Sequence, residues 1–166
     1  MQDELPKRKN MRLKEYDYSQ TGAYFVTVCT HARSELLGKI VGDAAFGVPH
    51  IELTPIGEIV RQHIENINNG NGLSAEKYIT MPNHIHLLVR IEPGTGTPKA
   101  ASPTRAIIPQ MVNALKGLTT KKYGQPLWQR PYHDHIIRDE AEYLKIWQYI
   151  DENPAQWAED MYFEKH

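Results

Sequence analysis

An α+β fold is what the sequence predicts, and three observations carry it. Stretches rich in Val, Ile, Tyr and Thr read as strands, and longer stretches repeat apolar residues at helical spacing. The two kinds alternate along the chain, except in the middle, where two strands follow one another across a short turn. With 166 residues the chain is long enough to bury a core and is expected to form one domain over residues 1–166.

The first fourteen residues hold Lys7, Arg8, Lys9, Arg12 and Lys14 and no apolar block. Such a basic arm is either a solvated leader or a phosphate-binding tail. Ala23-Tyr-Phe-Val-Thr-Val-Cys-Thr30 is nearly continuous in apolar and β-favouring residues, which predicts a central strand. Residues 36–41 and 50–53 flank a Gly-containing loop and predict a short hairpin inserted at the sheet edge. Thr54-Pro55 then supplies an N-cap with proline at the first helical position. Ile56, Ile59, Val60, Ile64 and Ile67 recur at helical spacing until Asn68-Asn-Gly-Asn-Gly72 ends the helix.

In Tyr78-Ile-Thr-Met-Pro-Asn-His-Ile-His-Leu-Leu-Val-Arg90, turn residues interrupt a β-favouring run, so a second hairpin is predicted. Side chains alternate along a strand, so His84 and His86 share a face, about 6–7 Å apart at ~3.3 Å per residue. That spacing suits one metal ion, whereas on a helix the pair would splay by roughly 200°. Spacing alone leaves open whether they share an ion or one is simply a half-buried surface histidine.

Residues 92–104, dense in Pro, Gly, Ser and Thr, read as a flexible linker within the domain. A helix is predicted over 108–123, with Val112, Leu115 and Leu118/Thr119 inward and Lys116, Lys121 and Lys122 facing solvent or phosphate. Residues 127–138 enter a last strand that alternates Tyr132, Asp134 and Ile136 with His133, His135 and Ile137. Asp139 and Glu142 make a capping box for a third helix whose inward stripe is Tyr143, Ile146, Trp147 and Ile150. Tyr149 falls roughly 110° from the middle of that stripe, with Asn153 one turn beyond it on the same side. Asn153-Pro154 also reads as the N-cap and first position of a short last helix. The order strand, helix, strand, strand, helix, strand, helix matches the split β-α-β, ferredoxin-like plan. It comprises an antiparallel sheet with helices on one face, plus the edge hairpin and a C-terminal tyrosine-bearing helix.

Formal net charge is −1, which by itself argues mildly against nucleic acid, but the charge is unevenly placed. Bases crowd the N-terminus, whereas from Asp139 onward eight carboxylate side chains face only Lys145 and Lys165. The single cysteine, Cys29, permits no internal disulfide, and no apolar run is long enough to span a membrane. A soluble cytoplasmic protein without a membrane partner is expected.

Three blocks together resemble the REP-associated tyrosine transposases, within the wider single-tyrosine HUH transposases of insertion sequences. They are Tyr24-Phe-Val-Thr27, Tyr78-Ile-Thr-Met-Pro-Asn-His-Ile-His86, and Leu127-Trp-Gln-Arg130 through His135-Ile-Ile-Arg138 to Tyr149-Ile-Asp-Glu-Asn-Pro154. The resemblance implies a metal-dependent endonuclease and strand transferase that acts on single-stranded or hairpin DNA through a 5′-phosphotyrosine. It implies Tyr149 as nucleophile, His84, His86 and Asn153 as ligands of Mg²⁺ or Mn²⁺, and either a monomer or a homodimer. The basic residues Lys7, Arg8, Lys9, Arg12, Lys14, Lys116, Lys121, Lys122, Arg130 and Arg138 are the expected DNA contacts. Two other readings stay open. One is a hairpin-binding module that does not cut; the other is a hydrolytic metal centre built from His84, His86, His133 and His135 with Asp134 in support.

Overall fold

The computed structural model describes residues 22–42, 48–68, 72–92 and 107–157. The basic arm (1–14) lies outside these residues, as does the 92–104 linker beyond Glu92. The near-continuous apolar run forms β1 (Gly22–Cys29), and it takes a central place because both its edges are paired. On one side lies β5 (His84–Ile91), itself paired with β4 (Leu73–Met81); on the other lies β6 (His133–Ile136). All three pairings are antiparallel, giving the order β4-β5-β1-β6. Each strand–helix–strand unit is thus split by a strand of the other, as the element order predicts.

Alternation divides this sheet into two unlike faces. Tyr24, Val26 and Val28 of β1 join Ile85, Leu87, Val89 and Ile91 of β5 in one buried cluster. Helices α1 (Pro55–Glu65) and α2 (Ile107–Tyr123) close that cluster with Val60, Ile64, Ile108, Val112 and Leu115. Burying each such side chain contributes roughly 1.5–3 kcal/mol, so this face carries most of the stability. The other face presents Phe25, Thr27, His84 and His86, and α3 (Glu140–Glu152) crosses it against β4 and β5. Of the predicted α3 stripe only Ile150 is buried; Tyr143, Ile146 and Trp147 remain partly exposed, because this helix is fastened by polar contacts.

The inserted hairpin, β2 (Gly38–Val41) with β3 (His50–Leu53), forms its own two-stranded sheet and lies against β4 without joining its ladder. Thr54 ties its base to α1. The Thr54 hydroxyl donates to the Leu36 carbonyl at 2.6 Å and accepts from the Gly57 N–H at 3.2 Å, and the Thr54 N–H donates to the Leu37 carbonyl. The Leu37 N–H in turn donates to the Pro82 carbonyl at 3.0 Å, linking the hairpin to the turn that precedes His84.

Two expectations are corrected. Leu118 is 53% exposed, and Thr119 alone turns inward, because its hydroxyl accepts from the Trp128 indole N–H at 2.8 Å. The last strand is also shorter than residues 127–138. Ahead of His133 only Trp128 bridges to Thr30, and Pro131 has no N–H to offer a ladder.

Gly57 shows how tightly α1 docks, since a Cβ there would sit 1.8 Å from the Leu37 carbonyl oxygen. In an open helix Gly→Ala gains about 1 kcal/mol. Here overpacking of about 1–3 kcal/mol should outweigh it, so Gly57→Ala is expected to lower stability in urea unfolding. Unchanged or raised stability would contradict this close approach.

Candidate active site

His84 opens β5 directly after the Pro82-Asn83 turn, and His86 follows two residues on, facing the same way. The turn is held from outside: the Thr30 N–H and hydroxyl both donate to the Asn83 carbonyl, at 2.9 and 3.0 Å. Both imidazoles are essentially inaccessible, at 0% and 1% exposure. Neither is the half-buried surface histidine that spacing left open; α3 and the segment after it bury them.

Each ring is pinned at Nδ1. His84 Nδ1 meets the Asn83 side-chain oxygen at 2.7 Å, and His86 Nδ1 meets the Thr27 hydroxyl at 2.8 Å. An amide oxygen only accepts, so the His84 proton sits on Nδ1 and its Nε2 is bare. The two Nε2 atoms converge to 3.0 Å. Phe25 stacks on His86 with centroids 5.0 Å apart. Burial lowers the His84 pKa to about 3, opposed by its side-chain contact with Asn153. Burial, with the nearness of His84, pushes His86 well below the usual imidazole range. At neutral pH both rings are therefore uncharged, the form that ligates metals.

The Thr27 hydroxyl can donate or accept, so without metal the His86 Nε2–H can donate to the bare His84 Nε2 across this 3.0 Å. Moving that proton to Nδ1 frees both Nε2 atoms for a cation. With metal–ligand bonds of about 2.1 Å, a 3.0 Å separation subtends about 90°, the angle between neighbouring ligands of an octahedral ion. Asn153, 1% exposed and hydrogen-bonded to His84, adds an amide oxygen, the ligand type hard cations take. The residues present thus fit a divalent ion and leave positions for substrate oxygens.

Tyr149 reaches this pair from α3, its hydroxyl 3.4 Å from His86 Nε2. Its ring lies edge-on to Phe25, with centroids 6.1 Å apart. The helix is set on the sheet by the Tyr143 hydroxyl donating to Glu76 at 2.7 Å, while Arg90 donates to the same carboxylate at 2.7 Å. The Lys77 ammonium lies 4.6 Å from the Trp147 ring centre and pairs with Asp151.

His84, His86, Tyr149 and Asn153 are therefore brought together, and other candidates are not. His133 and His135 face the same side, opposite Thr27 and Phe25, but β1 separates their strand from β5 and His135 pairs with Glu142. Among the described residues no three His, Cys, Asp or Glu side chains could hold an ion, so the four-histidine centre does not form. Asn153 is not an N-cap: its φ of −55° and ψ of −42° continue the helix it ends. Lys116 is not a free surface cation either. Its ammonium donates to the carbonyls of Gln129 and Arg130, both at 2.7 Å, and burial lowers its pKa. Lys121, Lys122, Arg130 and Arg138 are exposed, and Lys7, Arg8, Lys9, Arg12 and Lys14 lie outside the described residues.

Several residues of the site went unrecognised in the sequence. Asn83 read as turn chemistry and Thr27 and Phe25 as strand composition. Only the pairing register, with Thr27 opposite His86, reveals what they hold.

A histidine pair on an antiparallel sheet, faced by a helix-borne tyrosine, is the arrangement expected of single-tyrosine transposases. The chain belongs to the IS200-like transposase family, whose description, "Transposase IS200 like", matches residues 23–153. These are DNA-processing proteins, and the family is generally dependent on divalent metal. An uncharacterized protein of Haemophilus influenzae is 32% identical over 173 residues, covering 94% of this chain and 93% of that protein. A REP-associated tyrosine transposase, solved bound to a REP hairpin, shares the fold with a TM-score of 0.61 at 20% identity. The match covers 88% of this chain and 73% of that one. No helix among the described residues is long and apolar enough to cross a membrane.

The buried pair makes metal-free stability sensitive to acid. An unfolded imidazole takes up its proton near pH 6.5, whereas folded His84 resists down to about 3. Between those values the unfolded state binds more protons, so unfolding free energy should fall steadily as pH is lowered through that window. Urea unfolding across that range without metal checks this, and a flat profile would contradict burial of two neutral imidazoles.

Proposed function

We propose that this protein cuts and rejoins single-stranded or hairpin DNA through a covalent 5′-phosphotyrosine at Tyr149. The observation that carries the proposal is the Tyr149 hydroxyl, 3.4 Å from one of two converging imidazole nitrogens. His84, His86 and the Asn153 amide would hold Mg²⁺ or Mn²⁺, which when bound polarises the scissile phosphate and offsets its developing charge. The Tyr149 oxygen forms a bond to phosphorus as the bond to the 3′ oxygen breaks, and the phenolic proton lost balances the proton that oxygen gains. The free 3′-hydroxyl can later attack the phosphotyrosine and restore the phosphodiester. The 5′-linked strand stays on the protein meanwhile.

Substrate class rests on charge and kinship. Two neutral imidazoles and an amide give a divalent ion no formal negative charge, so a DNA phosphate is the natural partner that completes the site. Lys121, Lys122 and Arg130 are exposed. Together with the basic arm and Arg138 they are proposed to neutralise phosphates. The hairpin preference, of REP type, is carried over from the fold neighbour, which was solved with such a hairpin.

Tyr149→Phe tests the proposal on labelled hairpin DNA with Mn²⁺, read on a denaturing gel. Cleavage should drop by at least about a thousandfold and the protein–DNA adduct should vanish, since phenylalanine has no attacking oxygen. Tyr123→Phe should keep both, and Tyr143→Phe, which loses only the hydroxyl bond to Glu76, should still form the adduct. An adduct persisting in Tyr149→Phe moves the nucleophile elsewhere, and binding without any cleavage in the wild type leaves a hairpin-binding module.

A further inference from the structure

After Asn153 the chain does not leave the site. It continues in helical turns, with the Gln156 N–H donating to the Glu152 carbonyl, and delivers Trp157 onto His84. The indole and imidazole planes lie within 20° of parallel, with centroids 6.2 Å apart, an offset stack. Phe25 covers His86 in the same manner, its plane at 28°. The two imidazoles meet each other edge to face, at 70° with centroids 4.5 Å apart. The pair is thus bracketed by one flat ring on each histidine.

Bracketing supplies what the hydrogen bonds leave unset. Polar contacts at its nitrogens, with Asn83 and Asn153, hold the His84 ring in place but permit rocking of its plane. Convergence of both Nε2 atoms at 3.0 Å requires the plane to be fixed as well. A core role does not account for Trp157, which stays partly exposed, whereas Trp128 is 8% exposed and hydrogen-bonded to α2.

We infer that Trp157 is a positioning residue that holds the His84 imidazole in its ligating orientation by stacking on it. The inference rests on the reading of His84 and His86 as metal ligands. Groups that orient ligands without touching the ion typically change metal affinity 10–100-fold when removed, and a flat aromatic face does this through ring orientation.

Mn²⁺ binding to the full-length, DNA-free protein, followed by loss of the free-ion electron paramagnetic resonance signal, tests it. Trp157→Leu keeps apolar bulk without a flat face and should weaken Mn²⁺ about tenfold, while Trp157→Phe should stay within about threefold of wild type. Equal affinity in wild type, Leu and Phe forms overturns the inference, as does an equal loss in the Leu and Phe forms. A Leu variant that fails to fold without metal overturns it too, because a positioning residue is dispensable to the fold. His84→Ala separates the two readings: if it binds Mn²⁺ as the wild type does, the ion site itself is misassigned, whatever Trp157 does.

Discussion

Two uncharged imidazoles facing each other across 3.0 Å, sealed between a sheet and a helix, are the constraint that the rest of the site serves. Burial makes the charged form costly, so both rings stay neutral at physiological pH, and neutrality is what ligation requires. The convergence depends on groups from separate parts of the chain: Asn83 from the turn, Thr27 from β1, and Phe25 and Trp157 as flat partners. Sheet register is therefore part of the chemistry. A slip of one residue of β5 against β1 would turn His84 and His86 away from Thr27 and toward the apolar core.

The two faces of the sheet divide the remaining work. On the α1–α2 face many apolar side chains are fully buried, each contributing roughly 1.5–3 kcal/mol. On the other face α3 buries Ile150 alone and relies on the Tyr143–Glu76–Arg90 and Lys77–Trp147–Asp151 contacts. Hydrogen bonds of this kind contribute about 0.5–1.5 kcal/mol net, so α3 is the most weakly docked of the three helices. The element that carries Tyr149, the proposed nucleophile, is thus the one whose position costs least to adjust, while the histidines stay fixed on the rigid side.

Elements whose signal is local were legible in the sequence. The Thr54-Pro55 start of α1, the Asp139–Glu142 cap of α3 and the Met81-Pro82-Asn83 turn each declare themselves within a few residues, and all three form. So does the strand alternation that sets His84 and His86 on one face. What depends on tertiary placement was not legible. Nothing near Leu118 announces that Trp128 will hydrogen-bond Thr119 and turn the leucine outward. Lys116 reads as a wet lysine until the loop carbonyls of Gln129 and Arg130 close around it. The second His-x-His has the same local pattern as the first. It differs only in lying one strand too far away, with Glu142 as a partner.

Crystals soaked with Mn²⁺ and measured at a wavelength where manganese scatters anomalously test the metal assignment most directly. The expected result is one strong anomalous peak within about 2.0–2.3 Å of both Nε2 atoms of His84 and His86, with the Asn153 amide beside it. A peak beside His133 and His135 instead, or none at saturating Mn²⁺, would contradict it.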